Sequence, residues 1–367
     1  MKIVVIGTRG FPEVQGGIES YCEHLYTHMA ELGTDITVFT RKPYVNPEVT
    51  TYQGVSLVAV DCPKSKYFEN IVHSIRSIFK ARRLQPDIVH IYSSYIFAPL
   101  VKMLGIKVVI NVMCQSYKHK KWGFFANLFL RINEALGVKF ADSVIAISEP
   151  IKSALEEQYH KPVVFIPNGV YMPELSVTDE ILPELGLSRQ KYILSVGRFV
   201  EGKGFDDLIE AFIGADSKDW KLVIVGRADH ESSYSRGLEE MAKENENIIL
   251  TGFISRKHLQ ELYSYAGLFV LPSYDEGMPT VLLEAMSYGL SCLVTDISAN
   301  KNLGLQGDRF FKAGDTNKLS ERIVECINVP ISQDEMKAQI KMVAERYSWS
   351  NIASETLKVY KKVLSER

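Results

Sequence analysis

The sequence predicts an α/β protein of two doubly wound, Rossmann-like domains that face a cleft, and three observations predict it. Short runs rich in Val and Ile alternate with amphipathic helical stretches along the whole chain. Runs so nearly unbroken in apolar residues suit strands covered by helices on both faces. The alternation stops once near the middle and then restarts, which implies two parallel sheets rather than one. The length of 367 residues also suits two domains.

In the first series the strands are expected at 3–7, 36–40, 56–60, 88–92, 107–112, 143–147 and 163–166. The intervening stretches read as helices. In 17–32, Ile18, Cys22, Leu25, Met29 and Leu32 recur at helical spacing. The segment 171–190 holds Pro173, Pro183, Gly186 and several acidic residues without sustained periodicity, and it reads as a linker. Strands resume at 192–196, 221–225, 248–251, 268–271 and 292–295, and the chain becomes helical beyond Asp315. The expected organisation is therefore a first domain over 1–170, a linker over 171–190, a second domain over 191–347 and a terminal helix over 348–367.

Composition narrows the function classes. With 46% hydrophobic and 23% charged residues, the chain is neither disordered, collagen-like nor a disulfide scaffold. Lys and Arg total 42 against 44 Asp and Glu, which gives no nucleic-acid footprint. The charge is uneven: 19 basic against 14 acidic residues through Val170, and 23 against 30 thereafter. A basic first half suits an anionic surface. The cysteines Cys22, Cys62, Cys114, Cys292 and Cys326 are odd in number and form no CxxC, so reduced thiols in the cytoplasm are expected. No apolar run reaches the about 18 residues that span a bilayer, and the start lacks the pattern of a signal peptide.

Ligands of open α/β sheets bind at the carboxyl ends of strands, so the loops just after strands carry the chemistry. After the first strand, Thr8-Arg9-Gly10-Phe11-Pro12-Glu13-Val14-Gln15-Gly16-Gly17 opens a helix. Gly16 and Gly17 let backbone amides approach an anion at a helix start, although a plain tight turn explains the loop equally well. The loop is neither GxGxxG nor a Walker loop. The second strand ends in Phe39-Thr40-Arg41, without the acid that would hold a dinucleotide ribose. A nicotinamide-dependent oxidoreductase is thereby disfavoured. The loop Gly197-Arg198-Phe199-Val200-Glu201-Gly202-Lys203-Gly204 places two cations about a glycine-rich turn, where a fork and a point charge can meet a pyrophosphate. The loop Ser273-Tyr274-Asp275-Glu276-Gly277-Met278-Pro279-Thr280 leads into a helix carrying Glu284. One carboxylate can hold sugar hydroxyls and the other a ribose; for Glu276, dipole compensation at the helix start is the competing reading.

Gly-Arg-x(4)-Lys-Gly followed by Glu-x(7)-Glu, each at a strand–loop–helix junction, resembles glycosyltransferase family 4, the retaining, nucleotide-sugar-dependent enzymes of the GT-B fold. Ile147-Ser148-Glu149, Pro167-Asn168-Gly169-Val170, Thr251-Gly252-Phe253 and Tyr347-Ser348-Trp349 extend the likeness along nearly the whole chain. Gly7–Pro12 and Gly16–Glu19 are similar to the opening of a bacterial subgroup resembling rhamnosyl- and other hexosyltransferases of polysaccharide assembly. The chain departs from that subgroup after its fifth strand: Met113 replaces an acidic residue, Cys114 a glycine and Ser116 a glutamate. That departure leaves a catalytically altered binding subunit as an alternative.

The resemblance implies transfer of a hexosyl or deoxyhexosyl unit from a nucleotide-diphosphate sugar to a glycan or lipid-linked acceptor, without metal or other cofactor. It implies Arg198, Lys203 and Glu276 as catalytic groups. Gly16, Gly17, Gly197, Phe253, Gly277, Thr280 and Glu284 are expected to bind the donor, and Arg9, His90, Tyr117, Lys118 and Lys121 the acceptor; for His90 a satisfied core or loop histidine is the competing reading. In this fold the last helix returns to the first domain. His24 and His28 lie four apart but lack a third ligand. The basic-aromatic stretches 67–83 and 118–131 suit peripheral contact with an anionic membrane at its cytoplasmic face. Core-packing helices with solvated charges are the alternative there.

Overall fold

The computed structural model describes the chain except residues 15, 66–67, 115–123, 174–177, 218, 229–230 and 367. It divides into two compact units, Met1–Gly169 with Trp349–Arg367, and Val170–Ser348.

In the first unit β1 (Lys2–Ile6), α1 (Gly17–Glu31), β2 (Asp35–Arg41), β3 (Thr51–Tyr52), β4 (Val55–Val60), α2 (Glu69–Leu84), β5 (Ile88–Ile91), α3 (Ala98–Met103), β6 (Lys107–Val112), α4 (Phe124–Phe140), β7 (Ser143–Ala146), α5 (Glu149–Tyr159) and β8 (Val164–Phe165) follow one another. The sheet order is β3-β4-β2-β1-β5-β6-β7-β8, antiparallel only at the β3–β4 hairpin. The strands fall where the Val/Ile runs are, because those runs are buried on both faces: Ile3, Val4, Val5 and Ile6 are all closed from solvent. Complete burial of each such side chain is worth about 1.5–3 kcal/mol. The chain leaves β1 toward β2 on one side and reaches β5 on the other, so the order reverses between β1 and β5.

The second unit contains α6 (Ile181–Glu184), β9 (Tyr192–Val196), α7 (Phe205–Gly214), β10 (Lys221–Val225), α8 (Ser233–Lys243), β11 (Ile248–Gly252), α9 (Arg256–Tyr265), β12 (Leu268–Leu271), α10 (Thr280–Ser287), β13 (Cys292–Thr295), α11 (Ser298–Lys301), β14 (Phe310–Phe311), α12 (Thr316–Asn328) and α13 (Gln333–Tyr347). Its sheet is β11-β10-β9-β12-β13-β14, parallel throughout. The order reverses between β9 and β12.

Two boundaries differ from the sequence reading. The expected linker is largely part of the second unit. Ile181, Leu182 and Leu187 are buried in its core, and Glu261 holds the segment by accepting from the Ile181 N–H (2.9 Å) and the Thr178 hydroxyl (2.7 Å). The prolines and acids that suggested a linker mask three apolar anchors. The short β3 and β14 were also unforeseen, since two residues are too few to show a period. The chain closes with α14 (Trp349–Ser365), which packs on α1 within the first unit. Trp349 meets the Tyr21 ring edge-on at 5.4 Å, and a side chain at Gly169 would collide with its indole.

Candidate functional site

The two loops that carry the strongest motifs leave β9 and β12, the neighbours at which the second sheet reverses. That is where an open α/β sheet offers a crevice. Backbone contacts zip them together. The Tyr274 N–H donates to the Gly202 carbonyl (3.0 Å), and the Tyr274 hydroxyl donates to Asp207 Oδ2 (2.7 Å). Gly204 stands at φ 62° with the Pro272 carbonyl oxygen only 2.5 Å from where a Cβ would be. Both the left-handed backbone and the close approach require glycine there.

Zipping the loops brings Lys203 and Glu276 together. Lys203 Nζ lies 2.6 Å from Glu276 Oε1, and the pair is largely enclosed, at 19% and 10% side-chain exposure. Ser273 Oγ donates to the same oxygen at 2.7 Å. Arg198 is exposed on the first of these loops, next to Gly197. The Gly197 N–H donates to the Val225 carbonyl (2.9 Å), and Gly226 (φ 145°) lies so near the Gly197 carbonyl that no side chain fits. The loop after β9 is thus fixed against the loop after β10.

Thr280 opens α10 behind Gly277, which is exposed and has no heavy atom within 4 Å of a Cβ position. Glu284, one turn deeper, takes a hydrogen bond from the Tyr263 hydroxyl (3.1 Å). Burial raises its carboxyl above the ordinary value, opposed by the Tyr263 bond and the Arg256 charge. Phe253 is 71% exposed at the end of β11, with the Arg227 guanidinium 5.6 Å from its ring centre. Beside it an open groove of about 640 Å³ is lined by Arg227, Ser235, Glu239, Lys243, Thr251 and Gly252 among others.

In the first unit Gly16 and Gly17 precede and open α1; a Cβ at Gly17 would meet nothing within 4 Å, but Gly16 is not bare. The Glu19 carboxylate fills the space where a Gly16 side chain would stand, and its Oε1 accepts the Arg9 N–H at 2.9 Å. A protein carboxylate therefore already lies against this helix start. Arg9 is exposed. His90, expected at the acceptor, requires correction. It is closed from solvent in mid-sheet, with Nδ1 2.6 Å from the Tyr360 hydroxyl and 2.9 Å from that of Tyr26. Burial pushes its imidazole down to about 3, so it is neutral core and touches no ligand. Tyr117, Lys118 and Lys121, with Ser116, lie outside the described residues. His28 Nδ1 donates to the His24 carbonyl (2.7 Å), a helix-internal bond.

Tyr263 and Ser273 hold the carboxylates of the second unit, and Glu19 holds the loop after β1 in the first; none of the three carried a role in the sequence reading. Ser273 could have been found from its three-residue spacing to Glu276, whereas Tyr263 reaches Glu284 only through the packing of α9 on α10. At the end of β2, where a dinucleotide fold needs an acid, Arg41 is 8% exposed and ion-paired with Glu69.

These two doubly wound units, with cations and carboxylates gathered at the second sheet's reversal, define a GT-B glycosyltransferase. The chain belongs to the family 4 glycosyltransferases: the model described as Glycosyltransferase Family 4 matches residues 15–172, and that described as Glycosyl transferases group 1 matches residues 177–343. It is similar to a phosphatidyl-myo-inositol mannosyltransferase of Mycobacterium leprae, 29% identical over 99% of this chain and 97% of that protein. It is also similar to a putative teichuronic acid biosynthesis glycosyltransferase of Bacillus subtilis, 25% identical over 83% of each. Among solved structures, Anabaena HepE in complex with UDP matches with TM-score 0.79 at 16% identity, covering 99% of this chain and 100% of that one; this likeness concerns the fold.

Proposed function

We propose that the chain is a retaining, metal-independent transferase that moves a hexosyl or deoxyhexosyl unit from a nucleotide-diphosphate sugar to a glycan or lipid-linked saccharide in cell-surface polysaccharide synthesis. The single observation that carries this is the enclosed Lys203–Glu276 pair beside Arg198 at the sheet reversal. Loss of the donor's diphosphate places negative charge where Arg198 and Lys203 can meet it. One such contact is commonly worth about 3 kcal/mol of barrier. Glu276 holds hydroxyls of the transferred sugar, Glu284 holds the ribose, and the backbone near Phe253 meets the base. Gly197, Gly277 and Thr280 bring amides to the diphosphate.

No protein nucleophile is assigned. The acceptor hydroxyl attacks the anomeric carbon on the face the phosphate leaves. The C–O bond to phosphate breaks as the new glycosidic bond forms, and the hydroxyl proton passes to the departing phosphate oxygen. The names of the two curated relatives, one acting on a phosphatidylinositol and one placed in a teichuronic acid pathway, favour a cell-envelope acceptor.

Peripheral membrane contact belongs to the same proposal. Leu128, Phe129 and Ile132 are exposed beside Arg131 on α4, and Phe79 is exposed among Arg76, Lys80, Arg82 and Arg83 on α2. No helix among the described residues is long and apolar enough to cross a membrane.

Incubation with radiolabelled UDP-, GDP- and dTDP-sugars and a cell-envelope glycolipid extract tests the reading. Nucleoside diphosphate release with label transferred is expected. Absence of release from every donor would refute it. Flotation with vesicles, with and without anionic lipid, tests the membrane arm, and equal recovery in both would remove it.

A further inference from the structure

The loop after β1 carries a guanidinium that the fold aims but does not neutralise. The Arg9 backbone is pinned on both sides: its N–H donates to Glu19 Oε1 (2.9 Å), and its carbonyl accepts the Arg41 N–H (2.8 Å). The Arg9 guanidinium lies over the Tyr44 ring, 5.2 Å from its centre. Tyr44 is in turn fixed by donating its hydroxyl to Glu69 Oε2 (2.8 Å). The other Glu69 oxygen pairs with Arg41, and Arg41 Nη2 donates to Asn70 Oδ1 (2.9 Å).

Glu69 is thus consumed by Arg41 and Tyr44. Among the described residues, no carboxylate lies within ion-pairing distance of Arg9, which remains exposed. An ordinary surface arginine is free to wander; this one has an immobilised backbone and an aromatic shelf. Stacking covers the face of a guanidinium and leaves its edge open for two parallel hydrogen bonds to a carboxylate or phosphate. The loop stands at the carboxyl end of β1, where the first sheet reverses and where open sheets bind ligands. The stretch through Val170, which holds this loop, also has a basic excess, 19 against 14 charges.

We infer that Arg9, shelved on Tyr44, binds an anionic group of the acceptor, a carboxylate or a phosphate, and so selects acidic or phosphorylated saccharides over neutral ones. Arg9 touches the ligand. Tyr44, Glu69 and Arg41 are positioning residues. The inference deepens the acceptor-side reading of the first unit and rests on it.

Calorimetric titration of the full chain with methyl glucuronide, glucose 1-phosphate and neutral methyl glucoside tests this. Repeating it in the double variant Arg198→Ala/Lys203→Ala removes the contribution of both donor cations. Charge-assisted bidentate binding is worth about 1.5–3 kcal/mol, or roughly 10- to 100-fold in affinity. At least one anionic sugar is therefore expected to bind at least ~10-fold tighter than methyl glucoside, and the one preferred identifies carboxylate or phosphate. Arg9→Gln should abolish the preference. Tyr44→Phe should retain it and Tyr44→Ala should lose it, with melting temperatures confirming folded variants. Equal binding of all three sugars, or a preference that survives Arg9→Gln, would overturn the inference. Failure of the transferase reading would appear separately, as no diphosphate release from any donor, whereas failure here leaves that release intact.

Discussion

Lys203 and Glu276 grip each other across the two loops at the second sheet's reversal, Nζ to Oε1 at 2.6 Å, with the Ser273 hydroxyl on the same oxygen. Residues separated by 73 positions thereby meet in one ion pair. In the proposed reading, the cation assigned to the diphosphate is held in place by the carboxylate assigned to the sugar. Each therefore orients the other before the donor arrives, and an orientation already set costs less on binding.

Arg198→Ala and Lys203→Ala are each expected to lower donor turnover at least ~100-fold, the scale of one lost electrostatic contact to a developing anion. Steady-state release of nucleoside diphosphate measures it. Near-normal turnover in both variants would sink the assignment.

Glu284 gives a pH signature. Burial raises its carboxyl, so on acidification it becomes neutral earlier than an ordinary carboxylate and, in the proposed role, holds the ribose hydroxyls less well. Affinity for the free nucleoside diphosphate should fall as the pH drops through that raised value. Glu284→Gln should bind weakly and lack the step. A titration series by fluorescence or calorimetry reads both, and an unchanged step in the Gln variant would exclude Glu284 as its source.

Gly277→Ala separates folding from binding. A Cβ there meets no protein atom within 4 Å, so the melting temperature should hold. Donor affinity should fall by roughly 10-fold, about 1.4 kcal/mol, because the methyl group obstructs the approach of the diphosphate to the backbone. Full donor affinity would place the diphosphate elsewhere. Gly226→Ala, by contrast, collides with the Gly197 carbonyl and should lower stability itself.

Acid should destabilise the first unit through two buried histidines. Burial lowers His90 to about 3 and, as the largest of several causes, His73 to about 4, from 6.5. Below pH 6.5 the unfolded chain takes protons that the folded chain refuses, so stability falls with falling pH. Each group contributes up to about 1.4 kcal/mol per pH unit between 6.5 and its lowered value. Denaturant midpoints from pH 7 to 5 measure the slope. His90→Gln, which does not titrate, should flatten it, and an unaltered slope would contradict the account of His90.

The sequence by itself determined the two parallel α/β units, because Val/Ile runs buried on both sheet faces show in composition alone. It also determined which loops bear charge, since glycine, Arg198, Lys203, Glu276 and Glu284 follow strand ends in the chain order. Only the tertiary structure decided who meets whom. Tyr263 reaching Glu284, Tyr44 carrying Arg9 and Glu19 occupying the space beside Gly16 are contacts set by how elements pack. The reassignment of His90 has the same origin: a histidine at a strand end looks reachable in one dimension, but α14 returns to lay Tyr360 against it. Local pattern encodes which face of an element is apolar. The closing of distant elements onto that face fixes which polar groups are left open to a ligand.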